Sequence, residues 1–514
     1  MRTTRKKHGA ELWKADVLAK LKESHCCWVC AHLVNGVDRD FFWFVVEQYY
    51  EREIIDKMRR AYGFCPTHTR HFLETGAHSS NVTVFSYVTW YVIKQLDAAR
   101  KLLQQGRSKE DPRHLCLQVA AALRPQNVCP MCQSVQQTEG FEINALVSAL
   151  ALTDVKEAYE SSPGLCVPHF RQAGYRADWD ILAFLSNDLQ RRLSAKVAAG
   201  RPSTALLEQA VGLDRERSLR NTRLSERPNR LGAQRDRDSQ AYIELGNPVH
   251  PWSPTFERMV ASLAEPGCPV CKACNQGLQN YLAWLAREME TKASDSSSWD
   301  PSWYVCSSHL WELNIAGHDR AAILIAKHTM QNWLGKLDRL KSGLSNRPSE
   351  HWFERLRQDF LTRWRGYSSD GSQPLPRARF RWSDVVAALE SPSHRLDALR
   401  TIAFREDLCQ ACWHIHTTTR RRLELILRIL EEPNGRKAYQ AGWGLCLRHC
   451  IEAANVAEVP SALAEVLSAQ IARLRVLEWE LHEASRKDNW SVRYEPKGPE
   501  SDVWRRAAYQ FCGV

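Results

Sequence analysis

Cysteine and histidine are the residues in this sequence whose types and spacing could do chemistry, and they recur in one pattern. Cys27 and Cys30 (CWVC) precede Cys65 and His68 (CPTH), and Cys129 and Cys132 (CPMC) precede Cys166 and His169 (CVPH). Cys268 and Cys271 (CPVC) precede Cys306 and His309 (CSSH), and Cys409 and Cys412 (CQAC) precede Cys446 and His449 (CLRH). In chain order, 34, 33, 34 and 33 residues separate the second cysteine from the third. Four spacers within one residue of each other mark a duplicated ligand set, not chance.

Three thiolates and one imidazole make a closed tetrahedral site for zinc, with no position left for substrate. CxxC and CxxH each bring two donors to one ion from a single helical turn. The partial positive charge at a helix N-terminus would offset the net negative centre. Each repeat is therefore expected to close its own site, giving four Zn2+ per chain. Iron–sulfur clusters also use this cysteine spacing. The run Cys268, Cys271, Cys274 (CxxCxxC) is the most cluster-like, but the other three repeats lack a third cysteine there. Cys26, Cys116, Cys274, Cys450 and Cys512 fall outside the sets and read as small packing residues, although Cys26 and Cys450 adjoin ligands and could substitute for them.

The elements that must position these ligands read as helices. The spacer Phe41 to Ala61 has apolar residues at three- and four-residue steps, and the stretch from Arg420 (RRRLELILRILEE) matches it. Gly63, Gly164 and Gly444 stand two residues before the third ligand and suit a helix C-terminus. The third repeat has Trp303-Tyr304-Val305 there and must turn differently. After each CxxH a long amphipathic helix is expected, with stripes such as Val84, Val88, Tyr91, Val92 and Ala99, or Leu463, Leu467, Leu474, Leu477 and Leu481. Shorter helices (AELWKADVLAKL, PRHLCLQVAAAL, SPTFERMVASLA, WSDVVAALE) precede the sets. No alternating run argues for a sheet. The fold class is all-α, in four tandem modules at 1–106, 107–200, 249–342 and 383–488. An Arg-rich linker (201–248), a basic and aromatic connector (343–382) and a C-terminal tail (489–514) complete the division.

The half-motifs CPxC and GLCxxH, about 33 residues apart, resemble a bacterial family of metal-binding proteins that carries a domain-of-unknown-function label. The resemblance marks the same sixteen residues as ligands and brings no established activity with it. CPMC and CPVC match fully, whereas CWVC and CQAC lack the proline. It does not cover the Arg-rich linker or the tail.

Composition narrows the function. With 44% hydrophobic and 25% charged residues the chain is globular, and no stretch approaches the roughly 20 apolar residues of a membrane span. No apolar run follows the basic N-terminus, so no secretory signal is expected, and the chain reads as soluble and cytoplasmic. Seventeen cysteines in a reducing compartment favour metal over disulfides. The net charge of +11 is uneven, because Arg215 to Arg237 holds eight arginines against three acids. That segment reads as a solvated linker or an arm for acidic partners. Arg363, Trp364, Arg365, Arg377, Arg379, Phe380, Arg381 and Trp382 suit either packing or phosphate contacts with base stacking. No GxxxxGK[ST], HExxH or GxSxG motif is present, and His414 and His416 read as surface or supporting histidines. The sequence describes a non-enzymatic scaffold or adaptor for another protein. Electron transfer and nucleic-acid binding through the connectors remain as alternatives.

Overall fold

A computed structural model describes residues 2–105, 111–199, 204–213, 254–292, 303–345, 396, 399–400, 404, 409–492 and 494–513. The segment Arg215 to Arg237, the connector beyond Ser345 and the WSDVVAALE stretch lie outside the described residues. Every regular element among the described residues is a helix, so the fold is all-α.

Through the first repeat run α1 (Arg2–Glu23), α2 (Trp28–Trp43), α3 (Arg52–Ala61), α4 (Pro66–Glu74) and α5 (His78–Gln105). The second holds α6 (Pro112–Ala122), α7 (Pro130–Ala149), α8 (Thr153–Ser161), α9 (Val167–Arg176) and α10 (Trp179–Ala199), and α11 (Thr204–Val211) follows. The third has α12 (Pro254–Ala264), α13 (Pro269–Lys292), α14 (Ser307–Ile315) and α15 (Asp319–Ser345). The fourth has α16 (Gln410–Ile429), α17 (Pro433–Ala441), α18 (Leu447–Val456) and α19 (Pro460–Lys487), before a final α20 (Val503–Cys512). Many helices open on proline, whose missing N–H costs nothing in the first turn and whose fixed φ suits it. None of the helices is long and apolar enough to cross a membrane among the described residues.

The spacer expected as one helix from Phe41 to Ala61 is two helices. A π turn at Phe44–Gln48 follows α2, and Glu51 is extended (φ −69°, ψ 134°) before α3 begins. Aromatic packing accounts for the interruption. Phe41 and Phe44 both turn onto Phe64, at ring separations of 5.3 and 5.1 Å, while Phe42 and Trp43 between them face outward. The second and fourth spacers also divide, into α7 with α8 and α16 with α17.

The chain forms two compact units: Met1–Ala31, Phe141–Leu213 and Met289–Leu408 make one, and His32–Gly140, Asp214–Glu288 and Cys409–Val514 the other. Each unit draws on both halves of the chain. In the second unit α5 packs along α19, and the two stripes read from the sequence form its core. Val84, Val88, Val92 and Ala99 are buried, as are Leu463, Leu467, Leu474, Leu477 and Leu481. Fully burying each such leucine or valine contributes about 1.5–3 kcal/mol. In the first unit α10 packs along α15 in the same way, burying Leu182, Leu185, Leu189, Ile325, Met330 and Leu337. Trp179 closes that seam by donating its indole N–H to the Leu344 carbonyl (3.0 Å).

Residues 489–514 were expected as a tail, but α20 docks against α4, α5, α18 and α19. Val503, Ala507, Ala508 and Phe511 are buried along one face, which is the helical period at work. In the first unit α11 makes the corresponding contacts with α9, α14 and α15. Phe511→Ala should cost about 3–5 kcal/mol if α20 is part of the core. Denaturant unfolding followed by circular dichroism will read this, and an unshifted midpoint would show that α20 contributes nothing.

Candidate metal centres

All eight ligand pairs occupy the same local position. Cys65, Cys166, Cys306 and Cys446 are the N-cap residues of α4, α9, α14 and α18, with φ between −67° and −72° and ψ between 160° and 172°. The partnered histidine stands three residues on, in the first turn. Cys27, Cys129 and Cys268 immediately precede α2, α7 and α13, and Cys409 is the N-cap of α16. Extended backbone at the cap followed by helical backbone aims the two side chains at one point. The free N–H groups of the first turn lie beside it. The positive φ of Gly63, Gly164 and Gly444 (91°, 72° and 77°) turns the chain into the cap.

The pairing differs from the sequence expectation. No repeat closes its own site. Cys27 and Cys30 stand with Cys166 and His169, and Cys129 and Cys132 stand with Cys65 and His68. In the other half, Cys268 and Cys271 stand with Cys446 and His449. Within each group the four donor atoms lie within 4.8 Å of one another. Two successive repeats therefore exchange their CxxH halves. The physical reason is local: each pair sits at the start of a helix that carries the chain away from it. The 16-residue α2, which begins directly after Cys27, is about 24 Å long.

The distances suit one ion per group. In the first, Cys30 Sγ is 3.7 Å from Cys166 Sγ, and His169 Nδ1 is 3.3 Å from each of the three sulfurs. In the second, Cys65 Sγ and Cys132 Sγ are 3.6 Å apart, with His68 Nδ1 3.2–3.5 Å from Cys65, Cys129 and Cys132. In the third, Cys271 Sγ and Cys446 Sγ are 3.7 Å apart, with His449 Nδ1 3.2–3.4 Å from the sulfurs. A tetrahedron with Zn–S near 2.3 Å and Zn–N near 2.0 Å has edges of about 3.8 Å between sulfurs and about 3.5 Å from sulfur to nitrogen. The residues present fit such an ion.

The electrostatics point the same way. Hydrogen bonds from Cys129 and Cys132 hold the Cys65 thiol far below its ordinary value. Cys132 and Cys65, with burial added, push Cys129 far above its own. Burial and the neighbouring sulfurs likewise raise Cys166, whereas hydrogen bonds from Cys166 and Cys30 overcome burial to lower Cys27. Burial opposes the charge on His68, yet Cys132 and Cys65 push its pKa up to about 9. Each of these two groups thus favours one thiolate and disfavours another, a pattern that a dication would relieve.

The remaining cysteines belong to no such group among the described residues. Cys116 and Cys450 are fully buried among apolar neighbours. Cys274 contacts the Thr419 hydroxyl at 3.1 Å, and Cys512 contacts that of Thr69 at 3.0 Å. His414 lies against the Tyr281 ring, 4.5 Å between centroids, and His416 is exposed.

Sequence reasoning missed two arginines that set the turn before a ligand. Arg192 on α10 donates to the carbonyls of Ser162 (2.6 Å) and Tyr159 (3.0 Å), capping the end of α8. Arg473 on α19 donates to those of Tyr439 (2.6 Å) and Gly442 (2.9 Å), capping α17. Their equal offset from Cys166 and Cys446, within one residue, was the available signal.

Residues 10–182 match a family of unknown function (DUF6062), a span that contains the first two groups entire. No curated protein and no solved structure matches the chain.

The exchange makes a directional prediction. Cys129→Ser should loosen α4, which carries Cys65 and His68, while α9 of its own repeat stays protected. Hydrogen exchange by mass spectrometry reads both helices, and deprotection of α9 with α4 unchanged would contradict the pairing.

Proposed function

We propose that this chain is a zinc-stabilised helical scaffold that holds another protein and performs no catalysis of its own. The observation carrying this reading is that each group joins four donors from remote segments around a single point. Cys27 and His169 are 142 residues apart, and Cys271 and Cys446 are 175 apart. Such a bond acts on the fold as a cross-link, and metal binding becomes folding free energy. Three sulfurs and one nitrogen complete a tetrahedron and leave no open position for a substrate, as a structural site requires. A reducing, cytoplasmic compartment would keep the thiols available.

Zinc is favoured over iron–sulfur clusters by the closeness of the donors. Ligands of a polynuclear cluster bind separate irons and stand apart, whereas in three groups a CxxC sulfur stands 3.6–3.7 Å from a CxxH sulfur. The choice of protein as partner rests on exposed aromatics. Phe42, Trp43, Val46 and Tyr50 are 59%, 45%, 48% and 59% exposed along one short stretch, and large apolar residues grouped at a surface mark association. The basic connectors that would favour nucleic acid lie outside the described residues.

Elemental analysis of protein purified without oxygen should give about four zinc per chain, one for each complete donor set, and no visible absorption. Iron with matching sulfide, or fewer than three equivalents of metal, would overturn the zinc scaffold. Removing the metal with a chelator should also cause broad loss of helicity, because structural zinc contributes roughly 10–16 kcal/mol in small domains.

A further inference from the structure

The groups are not equally covered. Cys27, Cys30, Cys166 and His169 are all buried, as are Cys268, Cys271, Cys446 and His449. In the group of Cys65, His68, Cys129 and Cys132, only Cys129 approaches full burial and the other three are half-buried. Cys412 is exposed, with Cys306 and Cys409 half-buried.

What covers the two closed groups is the same device, used twice. Helix α11 ends at Gly212 and α20 ends at Gly513, both with positive φ (81° and 77°). A Cβ built on Gly212 would stand 3.3 Å from Cys30 Sγ and 3.4 Å from Cys166 Sγ. One built on Gly513 would overlap Cys271 Sγ and stand 3.5 Å from Cys446 Sγ. In each group the two sulfurs facing the glycine are one from CxxC and one from CxxH. Three residues earlier, Gln209 donates its side-chain N–H to the Leu165 carbonyl (2.8 Å), and Gln510 donates to Leu445 (3.2 Å). Leu165 and Leu445 are the residues just before the ligands Cys166 and Cys446. Both glutamines are buried. Gln209 to Gly212 and Gln510 to Gly513 thus form one Gln-x-x-Gly motif, written at the end of each half of the chain.

We propose that these two motifs are closures, so that the two sites they cover release metal more slowly than the uncovered donor sets. The sites of Cys27–His169 and Cys268–His449 are sealed by a glycine backbone laid on their sulfurs. The half-buried site of Cys65, His68, Cys129 and Cys132 exchanges metal with the surroundings. The physical basis is access. A chelator must reach a metal–sulfur bond to displace it, and the glycine turn occupies the approach that any side chain would block itself from taking. The buried glutamine anchors that turn to the ligand loop, so loosening either residue opens the site. The proposal rests on the metal reading above and fixes which of this chain's own residues control release.

The test uses the full chain, zinc-loaded and counted by elemental analysis, then challenged with excess chromophoric chelator. Two equivalents should leave in a phase slower than the rest by about tenfold or more, the scale on which groups supporting a metal site act. Gly513→Ala should move one equivalent from the slow to the fast phase. Gln510→Ala should do so without introducing backbone strain, which covers the case in which the glycine variant fails to fold. Gly212→Ala should have the smaller effect, since its Cβ would press the sulfurs aside by only a few tenths of an ångström, whereas that of Gly513→Ala would overlap one. Release of all four in one phase, or an unchanged slow amplitude in both Gly513→Ala and Gln510→Ala, would overturn the closure. A count well below four before the challenge would instead overturn the metal reading itself.

Discussion

Three sulfurs brought within 4.8 Å of one another repel as thiolates, and the chain has built that arrangement repeatedly from helix N-termini. A cation at the centre would balance it, and the fold brings the helix starts that carry the donors together in twos. A pair of donors in one helical turn cannot complete a tetrahedron, and the helix it begins carries the chain away. The second pair must arrive from another segment. Here it arrives from the neighbouring repeat, so that the start of one repeat is tied to the end of the next and the reverse. The helix packing then follows, with α5 on α19 and α10 on α15, each pairing one half of the chain with the other.

This arrangement gives the long-range contacts their energetic footing. Closing a loop of more than a hundred residues costs entropy that grows only slowly with length, as (3/2)RT ln n. A metal-ligand bond of structural strength exceeds that cost comfortably, whereas a surface ion pair would not. The buried face of α20 and the arginines capping α8 and α17 add contacts around the donor groups. A single ligand substitution is therefore expected to act on two distant helices at once, and least on the segment that merely adjoins it in sequence.

The sixteen donors were legible because their signal is local: CxxC and CxxH each report a single turn, and four copies leave little room for coincidence. Their pairing was not, since any CxxC can close with any CxxH and spacing says nothing about which. The equal spacers, read as four self-contained modules, are also what exchange requires, because repeats of equal length can tie each start to the other's end. The stripes of α5 and α19 were legible as amphipathic and silent about being partners. The break after α2 left no glycine or proline to announce it, and arises from Phe41 and Phe44 turning onto one aromatic cluster. Helix α20 was passed over because it follows a polar stretch with Pro496 and Pro499 and is short. The Gln-x-x-Gly ends were hidden for a plainer reason, namely that neither residue is a ligand.

The exchanged pairing is the claim on which the rest stands, and substitution with NMR-active cadmium tests it most directly. Coupling through the metal–sulfur bond links one cadmium signal to the β-protons of every cysteine bound to it. One signal should connect Cys27 and Cys30 with Cys166, and another should connect Cys129 and Cys132 with Cys65. A cadmium signal shared by Cys27, Cys30 and Cys65 would show that the repeat closes on itself and would contradict this account.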